Sequence, residues 1–346
     1  GGPSQPEGWL AATNGCPTKR ILNHGMLAVH LENRRVSVKR VPRPRPRRGF
    51  ALIRLLCGGI CNTDLELQRG YYGFSGVPGH EFVGEVVEAS RRDLIGRRVV
   101  GEINLDCGAC DWCRKFLGRH CPARKVLGIV KHPGAFREFL TLPERNLHVL
   151  PDSIPTEQAV FVEPLAAARE ILDQVQIPCS SQIAVLGDGK LGLLVAQVLR
   201  AHGYRVHQFG HHKDKLRIAA RAGVSTEVVH DRLPEAEYDW VVEATGSPKG
   251  LPAAVSMTRP RGTVIMKSTV HGLVGVDSAP VIVNEITLVG SRCGRFEPAI
   301  ELLRLGVINV AGMISERTPL ERAPAAFRQA ARPGVMKVLL TEDRAV

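Results

Sequence analysis

The stretch Gln182-Ile183-Ala184-Val185-Leu186-Gly187-Asp188-Gly189-Lys190-Leu191-Gly192 decides the fold. An apolar run of strand length leads into a glycine turn, and the apolar period then changes to that of a helix over Leu191–His202. Alone, a G-x-G-x-x-G pattern says little. Between a strand and a helix it is where a dinucleotide pyrophosphate meets closely approaching backbone and the positive end of a helix. Gly187, Gly189, Lys190, Leu191 and Gly192 are therefore candidate cofactor-binding residues. Strand Arg205–Phe209, helix Lys213–Ala222 and strands Trp240–Ala244 and Gly262–Met266 continue the alternation, which predicts an α/β unit built on a doubly wound parallel sheet.

The residues after the second strand bear on which dinucleotide binds. An NAD site offers Asp or Glu to the ribose about 20 residues beyond the fingerprint. Here the strand runs into Gly210-His211-His212-Lys213. A glycine leaves room, and His and Lys donors attract a 2′-phosphate that a carboxylate would repel. The turn favours NADP over NAD, against the alternative of an exposed basic turn that binds nothing.

Two cysteine-containing patterns carry metal chemistry. Cys107-Gly108-Ala109-Cys110-Asp111-Trp112-Cys113, with Cys121 seven residues on, can close four thiolates around one zinc, leaving no position for substrate. That makes a structural site; an iron–sulfur cluster also uses four cysteines. The other pattern is scattered: Cys61-Asn62-Thr63-Asp64, Gly79-His80-Glu81 and Glu163-Pro164. Thiolate, imidazole and carboxylate together suit a catalytic zinc with an open position. Each fragment alone is weak, since a His beside a Glu is more often a surface or capping pair.

Before the fingerprint, short β-branched runs broken by Gly and Pro (Val36–Val38, Ala51–Leu56, Phe82–Val87, Arg98–Val100) read as a small β-rich domain. After the parallel unit come two helices, Pro298–Leu305 and Ala323–Ala331, and a last strand, Val335–Leu340, a tail expected to fold back onto the first domain. The division is 26–170 with 295–346 as one domain and 171–294 as the other, with 1–25 an upstream extension expected to be disordered.

Composition narrows the class. Of the residues, 44% are hydrophobic and 23% charged, as in a globular protein, and the longest apolar runs are far too short to cross a bilayer. No signal or transit peptide is legible before Met26. The net charge of +12 lies in short runs such as Arg43–Arg48 and Arg91–Arg98, without interleaved aromatics, which reads as a solvated surface and not a nucleic-acid interface. Four of nine cysteines at metal spacing and no export signal imply a reducing, cytoplasmic setting.

In order and spacing, these motifs resemble the zinc-containing medium-chain dehydrogenase/reductase family of alcohol, sorbitol and threonine dehydrogenases. The resemblance rests on Gly59-Ile60-Cys61-Asn62-Thr63-Asp64, Gly79-His80-Glu81-Phe82-Val83-Gly84, the four-cysteine loop, Glu163-Pro164-Leu165, the fingerprint, and Val241-Val242-Glu243-Ala244-Thr245-Gly246. It implies a GroES-like β-rich catalytic domain split around a Rossmann domain, with the active site between them. Cys61, His80 and Glu163 fall on its catalytic-zinc positions, and Glu81 is either an alternative ligand or a close neighbour of the metal that Lys337 can hold away. Asp64 matches the carboxylate that orients the zinc histidine, and Thr63 the hydroxyl that takes the alcohol proton. Glu66 stands where simple alcohol dehydrogenases place a proton-relaying histidine, and Thr245 falls in the matched stretch on the cofactor side. Two zincs per chain, NADP, a polyol or amino-alcohol substrate and a homodimer or homotetramer formed through strand Thr287–Gly290 are implied. The alternatives are an NAD-linked threonine or simple alcohol dehydrogenase and a non-catalytic cofactor-binding relative.

Overall fold

The structure, a computed structural model, describes residues 1, 25–270 and 273–342. The extension expected over 1–25 falls almost wholly outside them. Strand Gln182–Leu186 lies inside a six-stranded parallel sheet whose spatial order is Ser225–Val228, Arg205–Gly210, Gln182–Leu186, Tyr238–Glu243, Thr258–Met266 and Thr287–Gly290. Alternate side chains of a strand point to opposite faces. Accordingly Ile183 and Val185 pack with the fingerprint helix Lys190–Ala201 and helix Val162–Gln174, while Ala184 and Leu186 pack with helix Gly250–Met257 on the other side. Both faces of this strand are covered, which is why Ile183–Leu186 reads as a continuous apolar run. Strand order reverses between Gln182–Leu186 and Tyr238–Glu243, and the crevice beyond their carboxyl ends is where such sheets hold ligands.

The other large sheet runs Leu147–Val149, Arg98–Gly101, Glu81–Glu88, Phe50–Gly59, Lys337–Thr341, Ile314–Pro319, with Phe139–Pro143 also paired to Phe50–Gly59. The tail thus inserts strand Lys337–Thr341 antiparallel beside Phe50–Gly59. Register sets the chemistry, because Gly59 pairs with Glu81 on one side and Leu339 on the other, bringing residues 81 and 337 together. Helix Phe296–Arg304 shares one core with Val162–Gln174 and the fingerprint helix. The expected boundary at 170/171 falls inside helix Val162–Gln174.

Part of the arginine-rich run is held by aromatic faces: the Arg43 guanidinium sits 3.9 Å from the Phe139 centroid and that of Arg47 4.0 Å from Phe50. No helix among the described residues is long and apolar enough to cross a membrane.

Candidate active site and cofactor cleft

Strand Phe50–Gly59 delivers Cys61 to the N-cap of helix Asn62–Arg69. Asp64, three residues into that helix and buried, accepts the Cys61 N–H at 2.8 Å through Oδ2. Its Oδ1 accepts the Gly79 N–H at 3.1 Å and lies 3.6 Å from His80 Nδ1. One carboxylate therefore ties together the two turns that carry Cys61 and His80. Burial opposes charge on His80, and the neighbouring Asp64 and Cys61 outweigh it, raising its pKa well above the ordinary value.

Ligand atoms of Cys61, His80 and Glu81 all lie within 4.8 Å of one another. Glu81 Oε2 is salt-bridged to Lys337, with both side chains 1% exposed. Glu81 Oε1 is buried and has no hydrogen-bond partner among the described residues. A Cβ on Gly59 would fall 2.7 Å from Glu81 Oε2 and 3.2 Å from Lys337 Cδ, so only glycine leaves room for this pair. An unpartnered buried carboxylate oxygen is costly without a cation, and a thiolate, an imidazole and a carboxylate around one point fit zinc. Glu163, in the first turn of Val162–Gln174, lies outside that cluster. Burial, reinforced by Glu81, pushes its pKa up to about 7 against the opposing His80 and Lys337.

Thr63 Oγ1 lies 3.8 Å from Cys61 Sγ. Glu66, one turn on, is salt-bridged to Arg69.

The sulfurs of Cys107, Cys110, Cys113 and Cys121 likewise lie within 4.8 Å of one another, with Cys110–Cys113 at 3.4 Å and Cys107–Cys113 at 3.9 Å. Four thiolates tetrahedrally bound to zinc stand about 3.8 Å apart, a spacing that follows from the metal–sulfur bond length. Backbone N–H groups of Ala109 and Cys110 hold the Cys107 thiol down at about 6. Replacing Cys110 by serine is expected to remove one zinc per chain and lower the thermal midpoint by on the order of 10 °C; metal analysis and calorimetry check it, and an unchanged zinc content would show the loop to be metal-free.

On the cofactor side, Gly187 and Gly189 form the turn into helix Lys190–Ala201, Gly192 is buried in its first turn, and Leu191 packs partly into the core. Lys190 crosses to the other unit, its Nζ donating to the Met336 carbonyl at 3.1 Å. Its pKa is lowered by burial and by Lys337. Gly210 ends the second strand, followed by exposed His211 and His212 and by Lys213 at the start of helix Lys213–Arg221.

Three groups outside the sequence-based candidates join them. Asp188 Oδ2 accepts the N–H groups of His211 and His212 at 2.8 and 2.7 Å, so a carboxylate stands beside the strand end after all, supplied from the fingerprint turn. Glu243 Oε1 accepts from Thr245 N–H, Thr245 Oγ1 and Ser268 Oγ at 2.8, 2.6 and 2.8 Å, shaping the loop beyond the fourth strand. Lys267 Nζ donates to Ala167 O, Ser291 Oγ and Arg292 O, and burial pulls its pKa down to about 8. Its signal was a lysine closing the apolar strand Val264-Ile265-Met266.

A glycine-rich turn on a parallel sheet, together with buried zinc-type donors on a mixed, mostly antiparallel one, is the arrangement of a metal-dependent dehydrogenase, and the comparisons agree. The chain belongs to the zinc-containing medium-chain dehydrogenase family: residues 47–152 match the alcohol dehydrogenase GroES-like domain and residues 191–307 the zinc-binding dehydrogenase domain. It is similar to D-altritol 5-dehydrogenase of Agrobacterium fabrum, 30% identical over 84% of this chain and 91% of that protein. D-arabitol-phosphate dehydrogenase of Enterococcus avium is 29% identical over 84% of this chain and 90% of its own length. Among solved structures, a zinc-binding dehydrogenase of Sinorhizobium meliloti 1021 bound to NADP superposes with a TM-score of 0.82 at 28% identity, covering 91% of this chain and 99% of that one. The chain is thus an oxidoreductase of the CH–OH-acting, zinc-type dehydrogenases, with a GroES-like domain and a Rossmann domain.

Proposed function

We propose that the chain moves a hydride between a secondary carbinol of a polyol and a nicotinamide dinucleotide, with one zinc held by Cys61, His80 and Glu81 and a second by the four-cysteine loop. The observation that carries this reading is the buried, unpartnered Glu81 Oε1 beside Cys61 and His80. The polyol class rests on similarity to the altritol and arabitol-phosphate dehydrogenases and on Glu163 at the site's edge.

When bound, zinc supplies a Lewis acid for the substrate oxygen and the dinucleotide a hydride acceptor. The protein's own groups do the rest. Asp64 fixes the Cys61 and His80 turns relative to each other. Thr63, beside Cys61, receives the hydroxyl proton, and Glu66 is the group one turn away that passes it outward. Glu163, its pKa raised to about 7 by burial, lines the site as a hydrogen-bonding partner for a second hydroxyl. Lys337 holds one oxygen of Glu81 and leaves the other for the metal.

The basic character of the turn His211-His212-Lys213 attracts the phosphorylated dinucleotide, and NADP is the proposed cofactor. Thr287–Gly290 is the edge strand of the parallel sheet, with Leu288 38% exposed and, on the preceding helix, Ile282 71% and Val283 78% exposed. That apolar edge suits pairing with a second copy in a homodimer or homotetramer. A cytoplasmic location, proposed on four of the nine cysteines standing at metal spacing, completes the reading.

The test combines zinc analysis with reduction of NADP or NAD by polyols, 3-hydroxy-amino acids and primary alcohols. Two zincs per chain and fastest turnover on a polyol are expected; fastest turnover on a 3-hydroxy-amino acid would replace the substrate class.

A further inference from the structure

In sequence the second strand ends in Gly210-His211-His212-Lys213, a turn without a carboxylate that suits a 2′-phosphate. In the fold, Asp188 fills that place from the other side. Its Oδ2 takes the backbone N–H of His211 at 2.8 Å and of His212 at 2.7 Å, and lies 2.9 Å from His212 Nδ1. Gly210 is what admits it: a Cβ there would fall 2.5 Å from Asp188 Cβ and 2.7 Å from Oδ2. Asp188 is 8% exposed. Burial favours its neutral form, yet the His212 N–H and ring outweigh this and hold its pKa below the ordinary value. A charged carboxylate therefore stands at the carboxyl end of the second strand, where doubly wound sheets place the adenosine ribose.

We infer that Asp188 sets the choice between NAD and NADP: its carboxylate occupies the donors that a 2′-phosphate would take, and its charge repels that phosphate while accepting a ribose hydroxyl. The turn then holds two opposed sets of groups. His211, His212 and Lys213 attract the phosphate, and Asp188 restrains that attraction. The acidic group has moved from the strand end to the second position of the fingerprint, and Gly210 is the space it moved into. The inference rests on the reading that this cleft binds a nicotinamide dinucleotide.

The experiment measures dissociation constants of NADPH and NADH by fluorescence for the full chain and for three variants. In Asp188→Ser and in Asp188→Asn, which keeps the shape and removes the charge, the NADPH-to-NADH affinity ratio should rise by roughly tenfold or more, the scale of removing a like charge from a bound anion. The double variant Asp188→Gly/Gly210→Asp returns the carboxylate to the strand end and should bring the ratio back to the wild-type value or below. A ratio within twofold of wild type in both single variants, with NADH still bound, would overturn the role of Asp188 alone. Wild-type protein that binds neither dinucleotide would overturn the cofactor reading and this inference with it.

Discussion

Replacing Cys61 by serine should lower kcat by about 10³-fold or more, on the order of 4 kcal/mol of transition-state stabilisation, while leaving the fold in place. The thiolate is the softest of the three donors gathered with His80 and Glu81, and zinc holds thiolate far better than a hydroxyl that stays protonated. Structurally, residue 61 works through its backbone: its N–H is held by Asp64, and its carbonyl accepts the Asp64 N–H at the start of helix Asn62–Arg69. Serine is a good N-cap, so both bonds survive the exchange. Zinc should fall by one per chain, with the four-cysteine loop still loaded, and circular dichroism and the calorimetric midpoint should be nearly unchanged. Full activity in this variant would sink the mechanism; loss of activity together with collapse of the fold would show that Cys61 is structural.

The parallel sheet was legible because burial on both faces writes itself as uninterrupted apolar strands, and because the glycine turn needs its neighbours to be a strand and a helix. The four cysteines were legible because the ligands of a closed metal loop lie close in sequence. Cys61, His80 and Glu81 were not readable as a set from spacing; they meet through the register of Gly59 against Glu81 and through one carboxylate, that of Asp64, bridging Cys61 and Gly79. Whether Glu81 or Glu163 completes the donors depends on which oxygen Lys337 occupies, and no one-dimensional pattern records that. Asp188 is illegible in sequence for the same reason. Its position in the fingerprint is ordinarily variable, and its meaning arises only when the neighbouring strand ends in a glycine that lets it in.

Lys337→Met should destabilise the zinc-free protein by about 3–5 kcal/mol, the cost of leaving a buried charge without its partner. Lys337 and Glu81 are each 1% exposed, and the Lys337 ammonium also lies 5.4 Å from the Phe161 ring centroid, so no water replaces the lost cation. Methionine fills nearly the same volume, which separates the electrostatic loss from a cavity. Burial lowers the Lys337 pKa, but Glu81, Cys61 and Asp64 together outweigh it and raise it above the ordinary 10.5. The pair's contribution to the wild type is therefore fully present below 10.5 and fades only as pH rises through the higher folded value, so it should be constant across neutral pH. Urea unfolding of chelator-treated protein measures the cost. Because the penalty belongs to the stranded carboxylate, Glu81→Gln added to Lys337→Met should recover a substantial part of it. A single variant within about 1 kcal/mol of wild type, the scale of an exposed ion pair, would mean that Glu81 finds another partner; a double variant no more stable than the single would place the loss in packing around Gly59. Zinc should reduce the cost of Lys337→Met, since the metal supplies the positive charge the variant lacks. The same cation that stabilises the unloaded fold thus competes with the metal for Glu81, and the variant should bind zinc more tightly than the wild type while being less stable without it.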